Sequence, residues 1–327
     1  MGITDDRAGR HIKEWESQLG ALDYPHRSRW PSRLFHHSPI ENAARILAQG
    51  QLLSRLDSEG QRKLDVAGTS VIQNRERAHQ FGRLYFRPRT PTQYWIEGIR
   101  KPENYWTGDP NAHAPTLVML IFDSRTILTR DGVRFSTGNM QSYGASDGDT
   151  DAFFDFIEFA KVYHEGPHGD PSITHCRCAE VLVPSPMPIS DCLTAIHCRS
   201  VAERMTLLKE MGPTAARCWS QHIHVSDDLR VFEKRHTFVD TVSLQHDGIV
   251  FRLHPAGGTV AIQVEAFDKA GRTVAANKRT DLPVVPPDGK VAWRVAAVLP
   301  NGDYSVRITI EGCRAFEAEL LLADGLF

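Results

Sequence analysis

One carboxylate inside an apolar run is the side chain with the most chemistry to offer in this sequence. The stretch Arg177-Cys178-Ala179-Glu180-Val181-Leu182-Val183-Pro184 reads as a buried β-strand over Ala179–Val183 with Glu180 set into it. Burial disfavours the charged form of a carboxyl, so a Glu held there has a displaced pKa and is poised for proton transfer. Natural chains break local patterning mostly at working sites. The alternative is that Glu180 points outward from a half-buried strand.

Other chemistries find less support. The chain has no Gly-x-Gly-x-x-Gly between a strand and a helix and no Gly-rich loop ending in Gly-Lys-Ser/Thr, so neither familiar phosphate cradle is present. His175, Cys176 and Cys178 lie close together, with Cys192, His197 and Cys198 nearby and His222 and His224 later. Structural zinc sites pair ligands two to four residues apart with a second such pair. Cys176-Arg177-Cys178 has a single intervening residue and no regular partner pair, so buried thiols are the better account. His222 and His224 would point the same way on a strand, as any surface pair does.

The 327 residues, 41% hydrophobic and 24% charged, are those of a globular protein with one large domain or two ordinary ones. No apolar run reaches the ~18 residues of a membrane span. Residues 1–20 read as a charged amphipathic helix, not a secretory signal. Six cysteines in a chain this long form no disulfide framework, which makes a cytoplasmic location the expectation.

The net charge of −2 argues against a strongly basic nucleic-acid binder, but the charge is uneven. Residues 25–134 hold 17 Lys and Arg against 10 Asp and Glu, and 15 of the 17 are Arg. Residues 135–239 hold 9 basic against 14 acidic side chains. One basic face can hold an anionic ligand while the whole stays near neutral, and Arg forks suit phosphate groups.

Two regions differ in texture. Residues 1–239 mix helical and strand periods, with strands expected at Arg83–Arg87, Thr116–Phe122 and Ala179–Val183 and helices at Ala152–Val162 and Val201–Met211. A short helix over Pro39–Gln49 is expected to take Ser38 as N-cap and Glu41 as the capping-box partner, with Gly50 as its stop. The irregular alternation predicts an α+β fold. Residues 240–327 predict short strands, Ile249–Leu253, Thr259–Phe267, Val291–Val298, Tyr304–Ile310 and Ala315–Leu322, between turns such as Asp247-Gly248, Gly257-Gly258, Pro286-Pro287-Asp288-Gly289 and Asn301-Gly302-Asp303. That pattern predicts a small antiparallel β-sandwich of immunoglobulin-like size.

Four pieces occur in order: Leu34-Phe35-His36-His37-Ser38-Pro39-Ile40-Glu41-Asn42, Leu84-Tyr85-Phe86-Arg87-Pro88-Arg89-Thr90-Pro91, Val133-Arg134-Phe135-Ser136-Thr137-Gly138-Asn139 and Ala179-Glu180-Val181-Leu182-Val183. Together, over about residues 30–235, they resemble the DarT-type ADP-ribosyltransferase toxins, which modify bases in single-stranded DNA. The resemblance implies a split β-sheet core with flanking helices as a catalytic domain over 1–239, and leaves 240–327 as a β-sandwich accessory domain. It implies NAD as co-substrate. By the same resemblance His36 hydrogen-bonds the cofactor, Asn42 contacts it, Arg89 organises the reacting centre and Glu180 is the catalytic glutamate. Tyr85 and Phe86 match the aromatic pair of the second strand, and Thr137, Gly138 and Asn139 open the substrate-recognition loop that runs to His175. The loop departs in carrying Asp147, Asp149, Asp151 and Asp155, acidic for a nucleic-acid contact.

Transfer of ADP-ribose breaks the nicotinamide–ribose bond and leaves an oxocarbenium-like sugar, which asks for a nearby carboxylate, an anchored pyrophosphate and exclusion of water. Arg89 suits the pyrophosphate or charge developing at the acceptor. Tyr85, Phe86 and Tyr94 suit stacking on nicotinamide or an unpaired base. A base in a duplex hides its reactive edge, so single-stranded DNA is the expected acceptor, with RNA, a protein acceptor and a non-catalytic binding module as alternatives. An antitoxin protein is the further partner the resemblance implies; the partner of residues 240–327 is open.

Overall fold

The computed structural model describes residues 2–60, 79–105, 109, 112–140, 144–286 and 292–323. In chain order the strands are β1 (Arg33–Pro39), β2 (Gln51–Leu52), β3 (Phe81–Tyr85), β4 (Leu117–Asp123), β5 (Arg134–Ser136), β6 (Asp147–Gly148), β7 (Glu180–Pro184), β8 (Met187–Pro188), β9 (Leu193–His197) and β10 (Ile223–His224). The strands that follow are β11 (Val239–Gln245), β12 (Gly248–Leu253), β13 (Thr259–Phe267), β14 (Thr273–Pro283), β15 (Trp293–Ala296), β16 (Gly302–Ile310) and β17 (Cys313–Leu322).

The first region is an α+β unit built on an eight-stranded sheet of order β10-β9-β4-β1-β3-β7-β5-β6. Leu117 to Phe122 of β4 are all fully buried, as an unbroken apolar run in a central strand should be. The sheet has a seam. β1 runs beside β4 from Arg33–Asp123 to Pro39–Leu117, and β3 beside β7 from Phe81–Pro184 to Tyr85–Glu180. Between β1 and β3, however, the pairing consists of Phe35–Tyr85 alone. The sheet is therefore two half-sheets joined at one point.

Helices close around this sheet. Asp5–Gly20 starts where Thr4 accepts the Arg7 amide, with Asp5 and Asp6 favourably placed in the first turn. The helix Ile40–Gln49 stops at Gly50, whose φ of 68° is left-handed backbone that glycine adopts freely. Its start differs from the expectation: Ser38 belongs to β1 and Pro39 is the cap, with no side-chain cap bond, because the strand pairing with β4 extends through Pro39. The helix expected over Ala152–Val162 is two short ones, Asp151–Asp155 and Phe159–Val162. The break turns Phe154 and Phe159 into one buried aromatic cluster with Phe86, Phe135, His11 and Tyr163. The helix beginning at Val201 continues to Trp219 across a kink at Gly212-Pro213. His224 lies in β10, but His222 lies in a short 3-10 turn, so the two do not share a strand face.

Residues 239–323 form two antiparallel sheets, β11-β12-β15 and β14-β13-β16-β17, around their own apolar core. β11 and β14 lie outside the strands the sequence pattern predicted; β14 is exposed along most of its length, which hides its period. The turn expected at 286–289 falls, apart from Pro286, outside the described residues, as does Val291. The core of these sheets includes Ile99 and Ala202 from the first region. Arg314 binds Glu41 at 2.7 Å and Glu210 at 2.9 Å, and Lys209 binds Glu317 at 3.0 Å, which fastens β17 to the helices Ile40–Gln49 and Val201–Trp219.

Candidate active site

Glu180 opens β7 directly opposite Tyr85, and Tyr85 is in turn opposite Phe35, so the carboxylate stands at the seam between the half-sheets. It is 1% exposed. Its own N–H is fixed by the Ser136 hydroxyl at 2.8 Å, and that hydroxyl donates to the Gly138 carbonyl at 2.7 Å. The carboxylate accepts the Met140 N–H at 3.4 Å and a hydrogen bond from the Tyr85 side chain, and Arg83 Nη1 lies 3.6 Å away. Burial raises the Glu180 pKa against the opposing pull of Arg83, Met140 and Tyr85. A carboxyl whose affinity for a proton is raised by burial suits a group that takes a proton during turnover.

Both histidines of β1 lie at the seam, on opposite faces by strand alternation. His36 Nδ1 bonds the Arg83 carbonyl at 2.8 Å. A carbonyl can only accept, so Nδ1 carries the proton and Nε2 is the acceptor of the neutral ring. Burial lowers the His36 pKa, which keeps that ring neutral. His37 stacks on Tyr85 with ring centroids 5.1 Å apart and planes 11° apart, on the Glu180 side. Burial drives its pKa down to about 3. His37, Arg83, Ser136 and Met140 are the residues that sequence reasoning did not assign to the site. The signal for Arg83 was available: it sits two positions along β3 from Tyr85.

The remaining predicted residues fall into three groups. Thr137, Gly138 and Asn139 lie at the site, because they connect Ser136, which holds the Glu180 N–H, to Met140, which holds its carboxylate. Gly138 is there for space: a Cβ would come within 2.2 Å of the His175 ring. Asn42 is half-buried on the first turn of Ile40–Gln49, just beyond β1. Arg89 stands four residues past Tyr85 in a left-handed conformation (φ 52°), its guanidinium bound to Glu165 at 2.9 Å. Phe86 lies in the aromatic core, edge-on to Phe159 and Phe154 and 1% exposed, so the second aromatic of the pair packs while the first faces the carboxylate. Tyr94 is exposed and carries Arg235 over its ring at 3.7 Å.

The acidic segment is spent on structure. Arg134 takes Asp147 at 2.5 Å and Asp149 at 3.1 Å, Arg7 takes Asp155 at 2.5 Å, and Thr4 donates to Asp151. Each of these four carboxylates is thereby engaged by Arg134, Arg7 or Thr4. Among the described residues no three His, Cys, Asp or Glu side chains gather to hold a metal, and none of their helices is long and apolar enough to cross a membrane.

A family model described as "ssDNA thymidine ADP-ribosyltransferase, DarT" matches residues 35–224. No curated protein matches the sequence. Among solved structures, Thermus sp. 2.9 DarT in complex with ADP-ribosylated ssDNA is 16% identical, with a TM-score of 0.48 over 61% of this chain and 96% of that one. The same Thermus protein in complex with NAD+ is 15% identical, with a TM-score of 0.46 over 61% of this chain and 97% of that one. Thermosipho africanus DarTG in complex with ADP-ribose is 17% identical, with a TM-score of 0.45 over 68% of this chain and 55% of that one.

Proposed function

Given that the chain belongs to the DarT family of single-stranded-DNA ADP-ribosyltransferases, NAD-dependent enzymes, we propose that Glu180 is the catalytic base and that the seam between β1 and β3 receives the nicotinamide end of NAD. The observation that carries this reading is the Glu180 carboxylate, fully enclosed yet held by Tyr85, Met140 and Arg83 in a place where burial raises its pKa.

In this reading the Glu180 carboxylate holds the ribose hydroxyls, balances the sugar cation and accepts the proton released by the base. Arg83 and the Met140 amide tune and orient it. His36, neutral and presenting Nε2, accepts a hydrogen bond from the cofactor, and Asn42 contacts the cofactor from the adjoining helix. Tyr85 fixes Glu180 and bears His37 on its face. Arg89 anchors the pyrophosphate. Thr137, Gly138 and Asn139 present the acceptor, a thymine base in an unpaired strand. Residues 1–239 serve as the catalytic domain and 240–327 as an accessory β-sandwich. The protein acts in the cytoplasm as a toxin restrained by an antitoxin, a setting supported by the family.

The test is to incubate the protein with NAD and short single-stranded oligonucleotides, DNA and RNA, that carry or lack thymine or uracil, and to weigh the products. A single added ADP-ribose on thymine-bearing DNA is the expected result. Addition to RNA alone, or to strands without thymine, refutes the assignment of the acceptor.

A further inference from the structure

A group of arginines gathers where the segment 162–166 passes the strand end that carries Arg87 and Arg89. Arg27 donates to the Tyr163 carbonyl at 2.8 Å, and Arg87 Nη1 to the Val162 and His164 carbonyls. Arg177 donates to the His164 and Gly166 carbonyls at 3.0 and 2.9 Å. All three guanidiniums fix backbone, Arg177 also meets the His164 ring at 2.7 Å, and Arg87 is 2% exposed. What they fix carries Glu165, whose two oxygens divide between Arg87 Nη2 at 2.8 Å and Arg89 Nη2 at 2.9 Å.

Arg89 is different. Among the described residues it donates to no carbonyl from its side chain. Its Nη2 meets Glu165 and, at 3.5 Å, the His26 ring; its Nε is buried without an acceptor. A guanidinium has five donors, so Glu165 holds one edge and leaves others for a ligand. The Arg89 backbone is equally constrained: its N–H donates to Gln93 Oε1 at 2.8 Å, and Gln93 is tied to Glu97 and the Val231 carbonyl. Both ends of this side chain are fixed while its binding face is left unspent.

We propose that Glu165 is the positioning residue for Arg89, holding the one guanidinium of the cluster that remains open to phosphate oxygens and coupling its placement to the segment 162–166. This rests on the assignment of Arg89 to the cofactor pyrophosphate. Three arginines pin the segment, the segment carries Glu165, and Glu165 sets Arg89. The recognition loop before Glu180 and the anchoring of NAD are thus linked through one carboxylate.

The experiment is a double-mutant cycle in the full chain, with Glu165→Gln, Arg89→Ala and the pair, read as kcat and KM on NAD with a thymine-bearing strand and as melting temperature. Glu165→Gln is expected to lower kcat/KM about a hundredfold, the cost of misplacing a group by an ångström. In the Arg89→Ala background the same change is expected to cost nothing further, and Glu165→Asp to recover part of the loss. A purely structural role would lower the melting temperature and add its full loss to Arg89→Ala, and that result overturns the inference. So does wild-type turnover in Glu165→Gln. Wild-type turnover in Arg89→Ala refutes the assignment of Arg89 and the inference with it. If wild type modifies no strand, the proposed function fails, and titration of the four proteins with NAD carries the test: shared, non-additive loss of affinity supports the inference, and additive loss overturns it.

Discussion

Glu180→Gln removes one charge and keeps the shape of the side chain, so it separates chemistry from packing. The amide oxygen of Gln can still accept from the Met140 N–H, now at 3.4 Å, and from Tyr85. It cannot take a proton or balance a sugar cation. General-base help is worth roughly 10²–10⁴-fold, or about 3–5 kcal/mol of barrier. Turnover on a thymine-bearing strand is expected to fall by that factor while NAD binding is retained. Stability moves the other way. Burial raises the Glu180 pKa, so the unfolded chain releases this proton at lower pH than the folded protein. As pH rises from the unfolded to the folded pKa, deprotonation favours the unfolded chain, and above the folded value the penalty is complete. The Gln variant never incurs it. The two proteins should melt alike near about pH 4, the ordinary Glu pKa, and the variant should melt higher at neutral and alkaline pH. Mass spectrometry of the oligonucleotide and calorimetric melting across pH read both effects. Undiminished turnover, or a variant that melts below wild type in alkaline buffer, refutes this account of the residue.

Arg83→Met removes the cation nearest Glu180 and lets burial raise its pKa further; the acid limb of the pH–rate profile should move to higher pH, and Arg83→Lys should hold it. Gly138→Ala places a Cβ 2.2 Å from the His175 ring, which should cut turnover by at least about tenfold through displacement of the loop; adding His175→Ala should return part of it. Phe86→Ala opens a cavity among Phe154 and Phe159 and should cost about 3–5 kcal/mol in denaturant unfolding, with NAD affinity per folded molecule unchanged. Arg314→Ala should lower stability by about 1 kcal/mol through loss of its pairs with Glu41 and Glu210, read by melting temperature.

Much of the catalytic region was legible because its strands are apolar runs bounded by Pro and Gly. Leu117–Asp123 and Glu180–Pro184 are within a residue of the expected Thr116–Phe122 and Ala179–Val183. The placement of Glu180 in a strand followed from its neighbours alone. What the sequence obscured is contact across strands. His36 and His37 are equivalent as letters, and only the pairing of Phe35 with Tyr85 shows that His37 faces the carboxylate. Tyr85 and Phe86 are likewise adjacent aromatics, and only the fold shows that Tyr85, the last residue of β3, faces the site while Phe86 packs in the core. The structural role of the acidic segment was hidden for the same reason, since Arg7 and Arg134 reach Asp155 and Asp147 only after folding. β14 escaped notice because an edge strand with little to bury has no reason to alternate.

The second core reaches back across the chain, for it includes Ile99 and Ala202, and the Ser200 hydroxyl is bonded to the Val239 carbonyl. Cutting the gene after codon 239 would therefore bare one side of the Val201–Trp219 helix and remove Arg314 and Glu317, which pair with Glu210 and Lys209. Anyone preparing a minimal enzyme should keep the whole polypeptide, or repaint that flank with polar side chains before trusting the truncated form.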